Sequence, residues 1–269
     1  MKLRTGAVSL LLLVLLGGLA ACGSKDEAPG DDPGSVPDKP TPSSLMLDFE
    51  SGPPLGQVVE AVANSGTGSV DVIVARSGTA TVESVEGPDG GQAVRFPAYT
   101  GGAVAPAAVI VATATGDALS PLDRDFEFGA TVKLDTESSG SAVDDGDNLV
   151  QRGNFGDPGQ YKIQLDKGVP SCRIVGDAGE VFVKAEEAVE PGAWYVVSCK
   201  REGSEVSLTM APYDDQDGQE SWRATGSTGQ VSLDAQPLSV GGKVSPEGVP
   251  VASADQFNGA MDDVYLRIE

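Results

Sequence analysis

From Leu45 to Glu269 the chain keeps returning to one pattern, the alternation of apolar and polar residues. In Phe126-Glu127-Phe128-Gly129-Ala130-Thr131-Val132-Lys133-Leu134 the even positions are apolar and most odd ones polar. Tyr161–Asp166, Glu205–Met210 and Val264–Glu269 repeat the alternation. A period of two sets one side of an extended strand against a core and the other toward solvent. Turn-forming residues punctuate the runs: Pro88-Asp89-Gly90-Gly91, Asp144-Asp145-Gly146, Asp166-Lys167-Gly168, Glu202-Gly203 and Asp217-Gly218. No segment holds a helical period beyond two turns, no internal repeat is visible, and no second linker interrupts residues 45–269. The pattern predicts an all-β fold of many short antiparallel strands, a sandwich or jelly roll, forming one domain over 45–269.

The N-terminal segment has a different character. Lys2 and Arg4 precede an apolar run from Gly6 to Ala21, shorter than the roughly 20 residues that a bilayer-spanning helix needs. This is the layout of a secretory signal peptide, here residues 1–21. Its end, Leu19-Ala20-Ala21-Cys22, resembles the bacterial lipobox. That resemblance implies a lipoprotein: cleavage before Cys22, a diacylglyceryl group on its thiol, and an added acyl chain such as palmitate. Two buried acyl chains give lasting attachment where one is marginal. Residues 22–44 then form the lipidated cysteine and a linker, whose part after Cys22 reads GSKDEAPGDDPGSVPDKPTPSS. Only Ala28 and Val36 there are apolar, too little to offset the entropy of ordering, so the linker is expected to be disordered.

Composition removes several functions. The chain has no histidine, so Ser-His-Asp and Cys-His nucleophiles, HExxH metal sites and imidazole acid–base catalysis are all excluded. With Lys+Arg 18 against Asp+Glu 40 the net charge is −22, which argues against nucleic acid as a partner. Such a charge is also repelled by anionic lipid, so a covalent anchor rather than a basic patch would hold the protein to its membrane. Once Cys22 is lipidated, Cys172 and Cys199 remain as an even pair in an exported chain. Without CxxC spacing or histidine they read as a structural disulfide, worth about 3–4 kcal/mol by chain entropy.

Several segments, in order, resemble the laminin-G-like branch of the concanavalin A-like lectin/glucanase superfamily. Leu47-Asp48-Phe49-Glu50 resembles its first strand, Asn64-Ser65-Gly66-Thr67-Gly68 the turn that follows, and Gly87 to Phe96 the glycine-rich approach to the next strand. Asp125 to Lys133 is similar to its central strand. Asn148 to Gly153, Gly159 to Ile163 and Pro170 to Arg173 are similar to its middle hairpins. Phe257 to Leu266 is similar to its closing strand. The resemblance implies a two-sheet antiparallel jelly-roll sandwich of about a dozen strands with a concave face that often binds glycans. It also implies a structural calcium, with Asp262 as carboxylate ligand and backbone carbonyls near Asp48 and Gly90. A turn-capping role for Asp262 is the alternative.

The superfamily's glucanases carry Glu-x-Asp-x-x-Glu on one strand, and no glutamate here begins that pattern; Glu83 and Glu86 come nearest, with Val85 where the aspartate belongs. The chain is therefore expected not to be an enzyme. The acidic runs Asp144-Asp145-Gly146-Asp147-Asn148 and Asp214-Asp215-Gln216-Asp217-Gly218 lack EF-hand spacing and read as solvated turns. Phe126 and Phe128 follow the core face, and one of Trp194 and Tyr195 should point outward. No ligand-binding residue is assigned. The expectation is a lipid-anchored, extracytoplasmic module at the cell surface that binds a glycan or envelope ligand. Alternatives are an assembly lipoprotein contacting an envelope protein, or a polysaccharide hydrolase or lyase. Exposed aromatic and amide side chains on one concave face would decide for the first.

Overall fold

The computed structural model describes residues 44–101, 107–138, 146–233, 236–251 and 255–269. The signal peptide, Cys22, the linker up to Ser43 and the pair Asp144-Asp145 lie outside the described residues. Among the described residues no helix is long and apolar enough to cross a membrane.

The strands are β1 (Leu45–Leu47), β2 (Val70–Ser77), β3 (Glu83–Glu86), β4 (Gln92–Arg95) and β5 (Ala107–Ala114). Next come β6 (Phe126–Leu134), β7 (Asp147–Arg152), β8 (Gln160–Asp166), β9 (Val169–Gly176) and β10 (Gly179–Lys184). The last are β11 (Trp194–Glu202), β12 (Glu205–Pro212), β13 (Glu220–Thr225), β14 (Leu238–Val240) and β15 (Gly259–Ile268). They form two antiparallel sheets. The eight-stranded sheet runs β13-β12-β11-β6-β15-β4-β3, with β1 also on β15. The seven-stranded sheet runs β10-β9-β8-β7-β14-β5-β2. The expected sandwich is present, with β6 central in its sheet.

Alternation explains the core. Phe126, Phe128, Ala130, Val132 and Leu134 of β6 are all buried, as are Tyr195, Val197 and Cys199 of the adjacent β11. From the facing sheet Tyr161 sets its ring edge-on to Phe126 and Phe128, at centroid distances of 5.6 and 5.0 Å. Its hydroxyl donates to the Leu119 carbonyl at 2.9 Å, so the ring's polar end is satisfied where water is excluded. Trp194 stays partly exposed beneath Lys133, and Tyr195 turns inward. The β8–β9 hairpin closes through Lys167 and Gly168, both at positive φ (55° and 79°), as a two-residue turn that matches strand twist.

Two inward positions carry guanidinium groups, a departure from a purely apolar interior. Arg201 stacks on Phe126 at 4.9 Å and donates to the Leu122, Arg124 and Gly229 carbonyls and to Thr228 Oγ1. Arg152 donates to the Gln236 and Leu233 carbonyls and to Ser120 Oγ. Each cation thus gathers connecting loops over one edge of the core.

Two local expectations are corrected. The first strand lies earlier than Leu47–Glu50: it ends at Leu47, because Phe49 takes φ 57° and leaves the ladder while keeping its ring buried. Asp147 and Asn148, read as part of a solvated turn, are fully buried in β7. Asp147 Oδ2 accepts from Ser138 Oγ at 2.7 Å, and Asn148 Nδ2 donates to Gln151 Oε1 at 2.7 Å. The other acidic run behaves as expected, Asp215 capping a short 3-10 turn at Gln216–Gly218.

Cys172 on β9 and Cys199 on β11 form the predicted disulfide, and it joins the two sheets across the core, with Cα atoms 6.1 Å apart. The double variant C172S/C199S is expected to lose about 3–4 kcal/mol in urea unfolding, a loss that reductant reproduces in the parent protein.

Candidate functional site

On the seven-stranded sheet, the side chains that alternate away from the core line a cavity of about 320 Å³. Strand register fixes its floor. Phe182 pairs with Arg173, Arg173 with Lys162, Lys162 with Gln151, and Gln151 with Ser239, so one row crosses β10, β9, β8, β7 and β14. Gln164 and Ser171 stand opposite each other in the adjacent row.

Hydrogen bonds knit the floor to its rim. Arg173 holds Glu180 in a two-point ion pair, Nε to Oε1 at 2.9 Å and Nη2 to Oε2 at 2.7 Å. The hydrogen bond from Arg173, outweighing some burial, keeps the Glu180 carboxyl below its ordinary range, so it is ionised at neutral pH. Arg173 Nη1 also donates to Gln160 Oε1. The amides of Gln160 and Gln151 both donate to the Gly153 carbonyl, at 3.0 and 2.8 Å. At the other wall Lys243 meets Asp255 at 3.4 Å.

The rim carries the unusual feature. Phe155, on the loop joining β7 to β8, is 86 % exposed, and its ring lies 5.2 Å from the Arg173 guanidinium. Phe182 is 49 % exposed. The Phe155 loop is braced at its base. Asn154 N–H donates to Asp157 Oδ2 at 2.6 Å, and Gln236 Nε2 donates to the same oxygen at 3.0 Å. Gly153 is required there: its φ is 82°, and a β-carbon would sit 2.3 Å from the Gly159 carbonyl oxygen. A ring held out in water on a braced loop, over a paired guanidinium and several amides, is a platform for an amphipathic ligand. A second cavity, about 350 Å³ beside residues 79–83 and 95–100, has no exposed large apolar side chain among the described residues of its wall.

Sequence reasoning named neither phenylalanine. Phe182 was within reach, since alternation in Glu180-Val181-Phe182-Val183-Lys184 buries the valines and turns Phe182 outward with the charges. Phe155 stood among Gly153, Asn154, Gly156, Asp157 and Pro158, a turn composition that places an aromatic outside the core.

The residues expected around calcium come together in part. Asp262 is buried in β15 at 4 % exposure, and Oδ1 accepts the Asp263 N–H at 2.8 Å. A β-carbon on Gly87 would lie 3.0 Å from Asp262 Oδ2 and 3.5 Å from Asp89 Oδ1, and one on Gly91 would lie 2.3 Å from Glu50 Oε1. Glu50 and Asp89, not foreseen, therefore share the glycine turn with Asp262. Gly90 sits at the open tip of that turn with φ 85°. The Asp48 carboxylate turns instead to Ser65 Oγ, at 2.8 Å. Among the described residues no three carboxylates converge in metal-binding geometry, so a cation here would need backbone carbonyls for much of its shell. The oxygen-only donors fit a hard cation in kind.

The laminin G domain family model matches residues 148–269, a little under half of the chain. No curated protein matches it. Among solved structures, the binding domain of Paraclostridial Mosquitocidal Protein 1 is similar at 12% identity and TM-score 0.55, covering 83% of this chain and 48% of that one. The structure titled HCR/D-Sa-GBL1/C is similar at 8% identity and TM-score 0.54, covering 83% and 47%. The LG1-3 region of the laminin alpha2 chain gives 10% identity and TM-score 0.44, covering 59% and 29%. The chain spans about half the length of the first two. Identities this low speak to fold alone. Residues 148–269 of the sandwich are similar to a laminin G domain.

Proposed function

We propose that the chain is a non-catalytic, lipid-anchored extracytoplasmic module that binds carbohydrate in the groove of its seven-stranded sheet. The observation that carries this reading is Phe155, held 86 % exposed over the Arg173–Glu180 pair on a floor of amides. An aromatic face covers the apolar face of a sugar ring, while amide, guanidinium and carboxylate groups bond its hydroxyls. Laminin-G-like domains and a binding domain of similar fold agree with a binding role. The inter-sheet disulfide agrees with an oxidising, extracellular setting. Absence of histidine and of the paired-carboxylate motif favours binding over hydrolysis. Calcium is proposed beside Asp262, with carbonyls of the 87–91 turn and of Asp48 completing its shell and fixing β15 to that turn.

Three outcomes test this reading. Phe155→Ala is expected to remove binding on a glycan array while leaving the melting temperature unchanged, because the ring is exposed. An array silent for the parent protein would overturn the carbohydrate role, and a single specific protein crosslink in cells would favour an envelope-protein partner. Cys22→Ser is expected to move the protein from the membrane fraction to the soluble one. For the cation, burial and the neighbouring Asp263, Asp89 and Glu50 push the Asp262 carboxyl from 3.8 up to about 7. In chelator the folded state then keeps a proton that the unfolded chain has released, so stability falls as pH rises from 3.8 to about 7. Calcium should restore it most at alkaline pH, and Asp262→Asn should abolish both the pH slope and the calcium response in guanidinium unfolding.

A further inference from the structure

The groove is blocked at one end and open at the other. Beyond β14 its row meets the segment Gly241–Val251, folded back over the outer face of β5, where Val244 packs on Val109 and Val111. Gln256 fastens that covering: its Oε1 accepts from Ala108 N at 3.0 Å, and its Nε2 donates to the Gly241 and Phe257 carbonyls, at 2.5 and 3.0 Å. Lys243 of that segment and Asp255, which precedes Gln256, line the cavity at this end. At the opposite end stands β10, the last strand of its sheet among the described residues, with the exposed Phe182 ring on it. From Phe182 to Gln151 the row crosses three strand spacings of about 4.8 Å, or about 14 Å in all. That is room for a short oligosaccharide, not for a polymer passing through.

The charges of the groove narrow the ligand further. Arg173 is matched by Glu180 at 2.7 Å and Lys243 by Asp255 at 3.4 Å, and Lys162 stands in the floor row between Arg173 and Gln151. An anionic sugar that met Arg173 or Lys243 would have to displace one of these carboxylates, and it would approach a chain of net charge −22. A hydroxyl-bearing neutral sugar does neither. It accepts from the guanidinium and donates to the carboxylate of one pair, whose outward lone pairs and N–H groups stay available to it.

Resting on the carbohydrate reading above, we propose that the groove captures the terminal segment of an uncharged glycan. The chain end lies against the Lys243–Asp255 wall, vicinal hydroxyls lie on the Arg173–Glu180 pair, and the chain leaves over Phe182. The test is isothermal titration of the purified domain with β-gluco-, β-galacto- and α-manno-oligosaccharides from disaccharide to hexasaccharide, with their polymers, and with oligogalacturonides as acidic counterparts. One neutral series should bind with an affinity that levels off at short length. Its polymer should then saturate at one protein per chain end, unchanged by salt. Phe182→Ala should weaken the longer members roughly tenfold, the loss of one stacking aromatic, and spare the disaccharide. Lys243→Ala should weaken every length alike. Stoichiometry that grows with polymer length would overturn end capture while leaving the carbohydrate role intact. Tighter binding of oligogalacturonides would overturn the neutral class, and no binding to any probe would overturn both readings.

Discussion

Burial of two sheet faces against each other is the interaction on which this molecule depends. Each sheet offers one dry face, and neither could stay folded with that face in water. The inward rows of β6 and β11 meet Tyr161, Ile163 and Ile174 from the other sheet, all fully buried. At about 25 cal/mol per Å² of apolar area, such faces supply most of the drive to fold. The disulfide from β9 to β11 adds a covalent tie at one point of that contact. Two cations that the packing encloses are satisfied locally. The buried Arg152 and Arg201 donate to loop carbonyls and two hydroxyls, which converts the cost of desolvating a cation into anchorage for connecting segments.

A sandwich that buries its inner faces leaves the outer ones free, and the two outer faces have been used differently. On the eight-stranded sheet, side chains cover one another: the Tyr265 hydroxyl bonds Glu127 at 2.5 Å, Arg267 stacks on the Tyr265 ring, and Ser198 meets Thr209 at 2.6 Å. Gly129 makes this possible, since a β-carbon there would lie 3.0 Å from the ring. On the seven-stranded sheet two added segments rise instead, the Phe155 loop and the fold-back after β14, and the space between them is the groove. Its floor sits on strand positions and its rim on hydrogen-bonded loops, so little order remains to be gained when a ligand enters.

Much of the architecture was legible because alternation is a local property. The runs around β6, β8, β12 and β15 name their own buried faces, and the turns between them carry residues that tolerate positive φ. Legibility failed where the chain departs from its local pattern. Phe49 looks like a strand residue, yet its backbone turns away at φ 57° and its carbonyl accepts the Gly52 N–H at 2.9 Å, closing a turn instead of continuing the ladder. Asp147 and Asn148 look like surface, yet they are buried, with Ser138 from the connection after β6 and Gln151 of β7 as partners.

By itself the sequence determined the class of fold, the pairing of Cys172 with Cys199, and the lack of imidazole chemistry. Each follows from residue identity and spacing along one chain. Only the tertiary structure decided what lies opposite what. Strand order brought Phe182, Arg173, Lys162 and Gln151, drawn from four strands, into one row, and it set Glu50 and Asp89 beside Asp262. Turn geometry sets register within each hairpin, but which hairpins lie side by side and where loops fold back are long-range choices, made by the packing of faces far apart in the chain.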